Sequence, residues 1–342
     1  MMRTKLFTLL LIGACGLIMS CEKQNMAEAL QLQKPYTYSD QYYSNLRAYK
    51  KTKHQVFYGW FAAYANKEGV TAEYKKSASW GEHFAGLPDS LDFCSLWMGI
   101  PSLKENDALS TYNPIAYKEM RHVMEVKGTI MLVPEITRIA KYPQFEKSDV
   151  GIQKYADYLV KMVLDYDLDG LDLDYEPDGD WIQGANFLKM VEIIGKSFGP
   201  KSANPNKYLI IDYYTLTPPA GVEPYINYLV NQAYTQGTTS SSATFLQGRY
   251  NSVSWCPTSK FIVTENFGDW YTNGGSPFTE ADGNKLTKNG VQMYSLEGMA
   301  RWNPTQGKKA GFGAFYFDRD YNNGVPYGYV RQSIQIANPA VR

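Results

Sequence analysis

Eight short runs with strand character recur along this chain of 342 residues, their starts 20 to 51 residues apart. They are Val56 to Tyr64, Leu91 to Met98, Gly128 to Ile136, Gly170 to Glu176, Tyr208 to Thr215, Tyr228 to Tyr234, Lys260 to Phe267 and Gly311 to Asp318. Between the third and fourth, Ile152, Tyr155, Ala156, Leu159, Val160 and Val163 fall on one helical stripe, and Gly184, Phe187, Leu188, Val191 and Ile194 repeat the pattern after the fourth. Strands alternating with helices require parallel pairing, and eight of them over about 290 residues predict an α/β fold, a single (β/α)8 TIM barrel spanning residues 51–342. An open doubly wound sheet is the competing arrangement, but no Gly-rich phosphate turn follows the first run.

The fourth run ends the most acidic stretch of the chain, Asp165 to Glu176, which reads D-Y-D-L-D-G-L-D-L-D-Y-E. Asp165, Asp167, Asp169, Gly170 and Glu176 satisfy the calcium-loop pattern of an EF-hand in full. Such a loop needs a helix leaving it, whereas Pro177 and the turn Asp178-Gly179-Asp180 stop one. Asp172 also occupies a position that is usually apolar. The alternative is a strand with Leu171, Leu173 and Tyr175 on one face and Asp172, Asp174 and Glu176 on the other, acids repeating every ~6.6 Å. A bland version of this is a solvated edge strand with a polar outer face. In a barrel, however, chemistry sits at the C-terminal strand ends, so Asp172 is expected deepest, Asp174 above it and Glu176 at the rim. Like charges so close disfavour ionising together, which raises carboxyl pKa values.

The 34 basic and 34 acidic side chains cancel, which leaves no electrostatic pull toward nucleic acid, and no nucleic-acid partner is expected. Twenty-eight Tyr, 15 Phe and 7 Trp supply flat, half-polar surfaces suited to sugars. Residues 1–20 carry Arg3 and Lys5 ahead of an apolar run from Leu6 to Met19, too short for a membrane span and suited to an export signal. Ile18-Met19-Ser20-Cys21 resembles a bacterial lipoprotein processing site, with Cys21 the lipidated residue, and Ile12-Gly13-Ala14-Cys15 competes with it. The expectation is an exported protein, lipid-anchored to a bacterial membrane at the outer membrane, cell surface or periplasmic face, with residues 21–50 as tether and N-terminal capping segment. Cys94 and Cys256 lie in apolar contexts and read as two buried free thiols. His54, His83 and His122 have no metal-ligand spacing, so no metal and no cofactor are expected.

The motif D-x-x-D-x-D-x-E, here Asp169, Asp172, Asp174 and Glu176 with Gly170 inside it, resembles the strand-four signature of glycoside hydrolase family 18. The resemblance covers roughly residues 50 to 338. It implies that Glu176 is the general acid and base, that Asp174 holds the substrate's acetamido group, and that Asp172 supports Asp174. It further implies hydrolysis of β-1,4 bonds beside N-acetylglucosamine with retention, the substrate's acetamido oxygen acting as nucleophile through an oxazolinium intermediate.

At the end of the sixth run, Gln232 and Tyr234 resemble the endo-β-N-acetylglucosaminidase branch, in which the tyrosine hydroxyl bonds the acetamido oxygen. Met131-Leu132-Val133-Pro134-Glu135 lacks the Ser-x-Gly-Gly usual in chitinases, and Gly313 to Asp318 lacks their floor tryptophan. About 43 residues separate the seventh and eighth runs, too few for the extra α+β insertion common in processive chitinases. These departures favour N-glycans of glycoproteins, or other N-acetylglucosamine-containing oligosaccharides, as substrate. A chitinase or chitobiase-like enzyme, and a non-catalytic glycan-binding lipoprotein, are the alternatives. Trp97, Trp270 and Tyr316 are candidate stacking residues, and the loops Gln236 to Ala243 and Asp269 to Asn284 are candidates to read the glycan. The chain is expected to act as a monomer.

Overall fold

In the computed structural model, eight parallel strands close into a barrel, each hydrogen-bonded to its sequence neighbour and the last to the first. The structure describes residues 36–62, 83–105, 110–235 and 240–339. The export signal, Cys21 and most of the tether lie outside the described residues, as do Ala63 and Tyr64 of the first run and residues 236–239. The strands are β1 (Val56–Phe61), β2 (Phe93–Leu96), β3 (Ile130–Ile136), β4 (Gly170–Asp174), β5 (Tyr208–Tyr213), β6 (Tyr228–Gln232), β7 (Phe261–Asn266) and β8 (Gly311–Phe315). All eight lie within the eight runs of the sequence, in the same order. The calcium-loop alternative fails at β4, where Gly170 to Asp174 pairs residue by residue with Leu132 to Ile136 on one side and with Tyr208 to Asp212 on the other.

Helices following the strands cover the outside, and one helix precedes the first strand. Among the described residues they include α1 (Asp40–Lys50), α2 (Pro114–His122), α3 (Asp149–Asp165), α4 (Ala185–Ile194), α5 (Ala243–Asn251), α6 (Ser295–Arg301) and α7 (Gly328–Ala337). The α3 stripe predicted from periodicity is the buried face, with Ile152, Tyr155, Ala156, Leu159 and Val163 against the barrel wall. Ser148 starts that helix by accepting the Gly151 N–H on its hydroxyl at 3.1 Å. Between β5 and β6 a 3-10 segment, Ala220–Tyr225, replaces a full helix, as Pro218, Pro219 and Pro224 dictate. Helix α1 lies across the N-terminal end of the barrel. Its Lys50 donates to the Leu91 carbonyl and Thr129 hydroxyl, its Arg47 to the Val126 carbonyl, and His54 just beyond it bonds Asp92.

Two apolar layers follow from strand alternation. Leu171 and Leu173 of β4 join the outer core beneath the helices, while Tyr58, Trp60, Phe93, Leu132, Ile210, Val230 and Ile262 fill the interior. On β8, Gly311 and Gly313 are in register with Val56 and Tyr58 of β1. A Cβ on Gly313 would fall 1.6 Å from the Tyr58 carbonyl oxygen, and one on Gly170 2.3 Å from that of Tyr208. Close approach of strand backbones therefore explains both glycines, including the one inside the acidic motif. Cys94 and Cys256 are free and buried.

Gly313→Ala is accordingly expected to lower stability by about 2 kcal/mol or more, as overpacking of a tight core does. Chemical denaturation of variant and wild type measures it; equal stability would mean that β1 and β8 do not approach this closely.

Candidate functional site

Alternation along β4 turns Asp172 and Asp174 toward the barrel axis, both almost wholly buried. The β4 ladder stops at Asp174, two residues short of the predicted end, because strands diverge at the barrel mouth. The backbone stays anchored beyond it. The Asp174 carbonyl accepts both the N–H and the hydroxyl of Thr137, the Tyr175 N–H donates to the Asp212 carbonyl, and Arg138 Nε donates to the Glu176 carbonyl at 2.7 Å. Glu176, half-buried at the rim, keeps the axis-facing parity, and no described residue donates a hydrogen bond to its carboxyl.

The buried acids differ in their donors. Asp172 Oδ2 accepts Ser95 Oγ at 2.7 Å and Trp60 Nε1 at 3.0 Å. One acid was not legible as a site residue: Asp212, in register with Asp174 on β5 and fully buried. Its Oδ2 accepts Gln232 Nε2 at 2.6 Å, and the same amide lies 3.4 Å from Asp174 Oδ1. Two carboxyl groups select the nitrogen end of Gln232, which turns its carbonyl end away from them. The carboxyls of Asp172 and Asp212 also meet each other, and the Tyr58 hydroxyl interacts with Asp172.

Burial is the first cause of the electrostatics here. It pushes Asp174 well above the ordinary carboxyl range, reinforced by the neighbouring charges of Glu176 and Asp172. Asp212 is pushed well above it too, by burial and then by Asp174 and Asp172, whereas donors partly offset the desolvation of Asp172. The buried acids thus resist ionising together. Tyr234, two residues past the end of β6, is 8% exposed, and burial together with Asp212, Asp174, Glu176 and Glu265 raises its hydroxyl, so it stays a hydrogen-bond donor.

Aromatic rings line the mouth beside these acids. Tyr234 lies between Tyr214 and Phe315, with centroids at 6.2 and 6.0 Å, and Phe315 meets Trp97 edge to face at 5.3 Å. Trp97, just past β2, is half-buried there as a stacking residue would be. Tyr316, predicted on the eighth strand, lies one residue beyond it with φ 51°; Phe315 takes the axis-facing place, and Tyr316 packs against it at 4.0 Å beneath Arg319. Trp270 ends the single helical turn Phe267–Trp270 after β7, and among the described residues its ring joins none of the ring contacts of the mouth. Tyr214, Phe315 and Asp212 had a weak signal in the sequence: each is an aromatic or acidic residue near the C-terminal end of an otherwise apolar run.

The family model described as "Glycoside hydrolase family 18, BT1044-like" matches residues 20–336. Endo-beta-N-acetylglucosaminidase F2 of Elizabethkingia meningoseptica is 26% identical over 286 residues, which cover 81% of this chain and 77% of that protein. Among solved structures, BT1044 superposes with a TM-score of 0.69 at 21% identity, covering 88% of this chain and 93% of that one. An endo-beta-N-acetylglucosaminidase from Cordyceps militaris, in complex with fucosyl-N-acetylglucosamine-Asn, gives a TM-score of 0.62 at 21% identity, covering 90% and 99%. The two structural likenesses concern the barrel.

The burial of Asp212 has a measurable consequence. Its raised folded-state pKa means that the fold keeps a proton which the unfolded chain releases near pH 4. The associated stability is present at low pH and is lost as pH rises toward the folded value, at most about 1.4 kcal/mol per pH unit. Asp212→Asn cannot ionise, so its melting temperature relative to wild type should increase between pH 5 and pH 8. A difference that stays flat or decreases would show Asp212 ionised throughout.

Proposed function

The chain belongs to glycoside hydrolase family 18 and is a glycoside hydrolase, and from that premise we propose that it is an endo-β-N-acetylglucosaminidase acting on N-glycans, cutting the β-1,4 bond between the two core N-acetylglucosamines. The observation that carries this reading is Asp174 with the Gln232 amide beside it and the Tyr234 hydroxyl close enough to feel the charges of Asp174 and Glu176, a donor-and-acceptor set suited to an acetamido group. The 26% identity to endo-beta-N-acetylglucosaminidase F2 supports the substrate class.

In this mechanism the Glu176 carboxyl gives its proton to the glycosidic oxygen as the bond from C1 to that oxygen breaks. The acetamido carbonyl oxygen of the same sugar forms the new bond to C1, and the positive charge passes to the acetamido nitrogen. Asp174 accepts the N–H of that group, and its desolvated site makes the interaction strongest when the charge develops. Tyr234 donates its hydroxyl to the acetamido oxygen and orients it for attack. Asp172, fixed by Trp60 and Ser95, keeps Asp174 in place, and Asp212 does so from the next strand through Gln232. Water then gives a proton to the Glu176 carboxylate and attacks C1, opening the five-membered ring with net retention. Trp97 and Phe315, with Trp270 on the neighbouring loop, provide apolar faces for the sugar rings.

Residues 1–20 are read as an export signal and Cys21 as a lipid attachment site, which would place this activity, as a monomer, on a bacterial membrane; these proposals rest on sequence pattern. Glu176→Gln is expected to reduce release of glycan from a denatured N-glycoprotein by about 100-fold or more while glycan binding persists. Intact mass of the wild-type product should show one N-acetylglucosamine left on each Asn. Cleavage of chitin oligomers with glycoproteins untouched would reassign the substrate, and full activity of the variant would remove Glu176 from the chemistry.

A further inference from the structure

Just after Tyr234 the chain is fastened to a carboxylate that the chemistry above does not use. Glu265 lies near the end of β7, on the strand face turned away from the axis, and is fully buried. Its Oε1 accepts two backbone N–H groups, Asn266 at 2.8 Å and Thr235 at 3.2 Å. Its Oε2 accepts three hydroxyls, Ser295 at 2.5 Å, Thr235 at 2.9 Å and Ser276 at 3.3 Å. Two amides and three hydroxyls saturate what a carboxylate can accept. An isolated buried carboxylate would be prohibitively costly, so this one is held by its donors and in turn holds them.

Those donors come from separate places in the chain: the exit of β6, the end of β7, the loop after it, and the first residue of α6. A single ionisable side chain thus ties together the strand exits on this side of the mouth. Thr235 is bound through both its backbone and its hydroxyl, and Thr235 adjoins Tyr234. By contrast, no described residue hydrogen-bonds the Tyr234 hydroxyl, although Tyr214 and Phe315 pack beside its ring with centroids about 6 Å away. The ring contacts fix the plane of the side chain, and the backbone at its root fixes how far the hydroxyl reaches.

We propose that Glu265 is a positioning residue for Tyr234, clamping Thr235 so that the tyrosine hydroxyl stands where the acetamido oxygen arrives. The inference rests on the reading of Tyr234 as the donor to that oxygen. Loosening the clamp shifts the hydroxyl by a fraction of an ångström without removing it, which costs turnover more than binding, since the contact matters most as charge develops.

The test is a double-mutant cycle on the full chain with one defined N-glycopeptide, measuring kcat and KM for Glu265→Gln, Tyr234→Phe and the pair, beside thermal melts. Glu265→Gln should lower kcat about 10-fold or more with KM changed by no more than about 2-fold, and the double variant should be no slower than Tyr234→Phe alone. Thr235→Val, which removes only the hydroxyl, should give a smaller loss of the same kind, and it takes over the cycle if Glu265→Gln does not fold. Losses that multiply in the double variant, or a lowered melting temperature with kcat intact, would overturn the proposal while leaving Tyr234 its role. A Tyr234→Phe enzyme as fast as wild type would instead remove the reading on which the proposal rests.

Discussion

Carboxyl groups at the axis of a closed barrel are the constraint on which this structure turns. Water solvates a carboxylate far better than a protein interior does, so each acid on β4 and β5 requires donors, or a proton, to remain there. Trp60 and Ser95 serve Asp172, and Gln232 serves Asp212 and leans toward Asp174. These donors come from β1, β2 and β6, so placing three acids on two strands commits side chains on three others. The glycines of β8 answer a separate demand, the close approach of its backbone to that of β1 at Val56 and Tyr58.

Burial falls away along β4, from Asp172 through Asp174 to the half-buried Glu176. The deeper acids are built to hold position and charge state. The rim acid has a fixed backbone, gripped by Arg138, and a carboxyl with no partner among the described residues. Tyr234 and the row of rings around Phe315 complete the mouth. In a glycoside hydrolase of family 18 this division suits a reaction in which the substrate supplies its own nucleophile and the enzyme supplies one acid and a well-anchored site for the developing charge.

Most of the fold was legible because a (β/α)8 barrel repeats one physical pattern. Buried parallel strands must be apolar on both faces and their covering helices apolar on one, so all eight runs and the α3 stripe stood out. Pro177 and the alternation from Leu171 to Glu176 distinguished a strand from a calcium loop. What the sequence could not supply was proximity between strands. Asp212 is a lone acid in an apolar run until barrel closure sets it beside Asp174, and Glu265 has no local mark of its five donors. Strand ends were overestimated by up to three residues, since strand-like character continues past the last ladder bond; this is why Tyr316 was read as a strand residue when Phe315 holds the place facing the axis.

We propose that the acetamido group of the cleaved sugar is the nucleophile, held by residues beneath Glu176. The direct measurement compares turnover of two otherwise identical chitobiose-core substrates, one with the natural acetamido group and one with trifluoroacetamido on the sugar whose bond is cut. Fluorination weakens the carbonyl oxygen as a nucleophile while barely changing the size of the group, so the rate should fall steeply. Equal rates for the two substrates would contradict the claim and require a nucleophile from the protein.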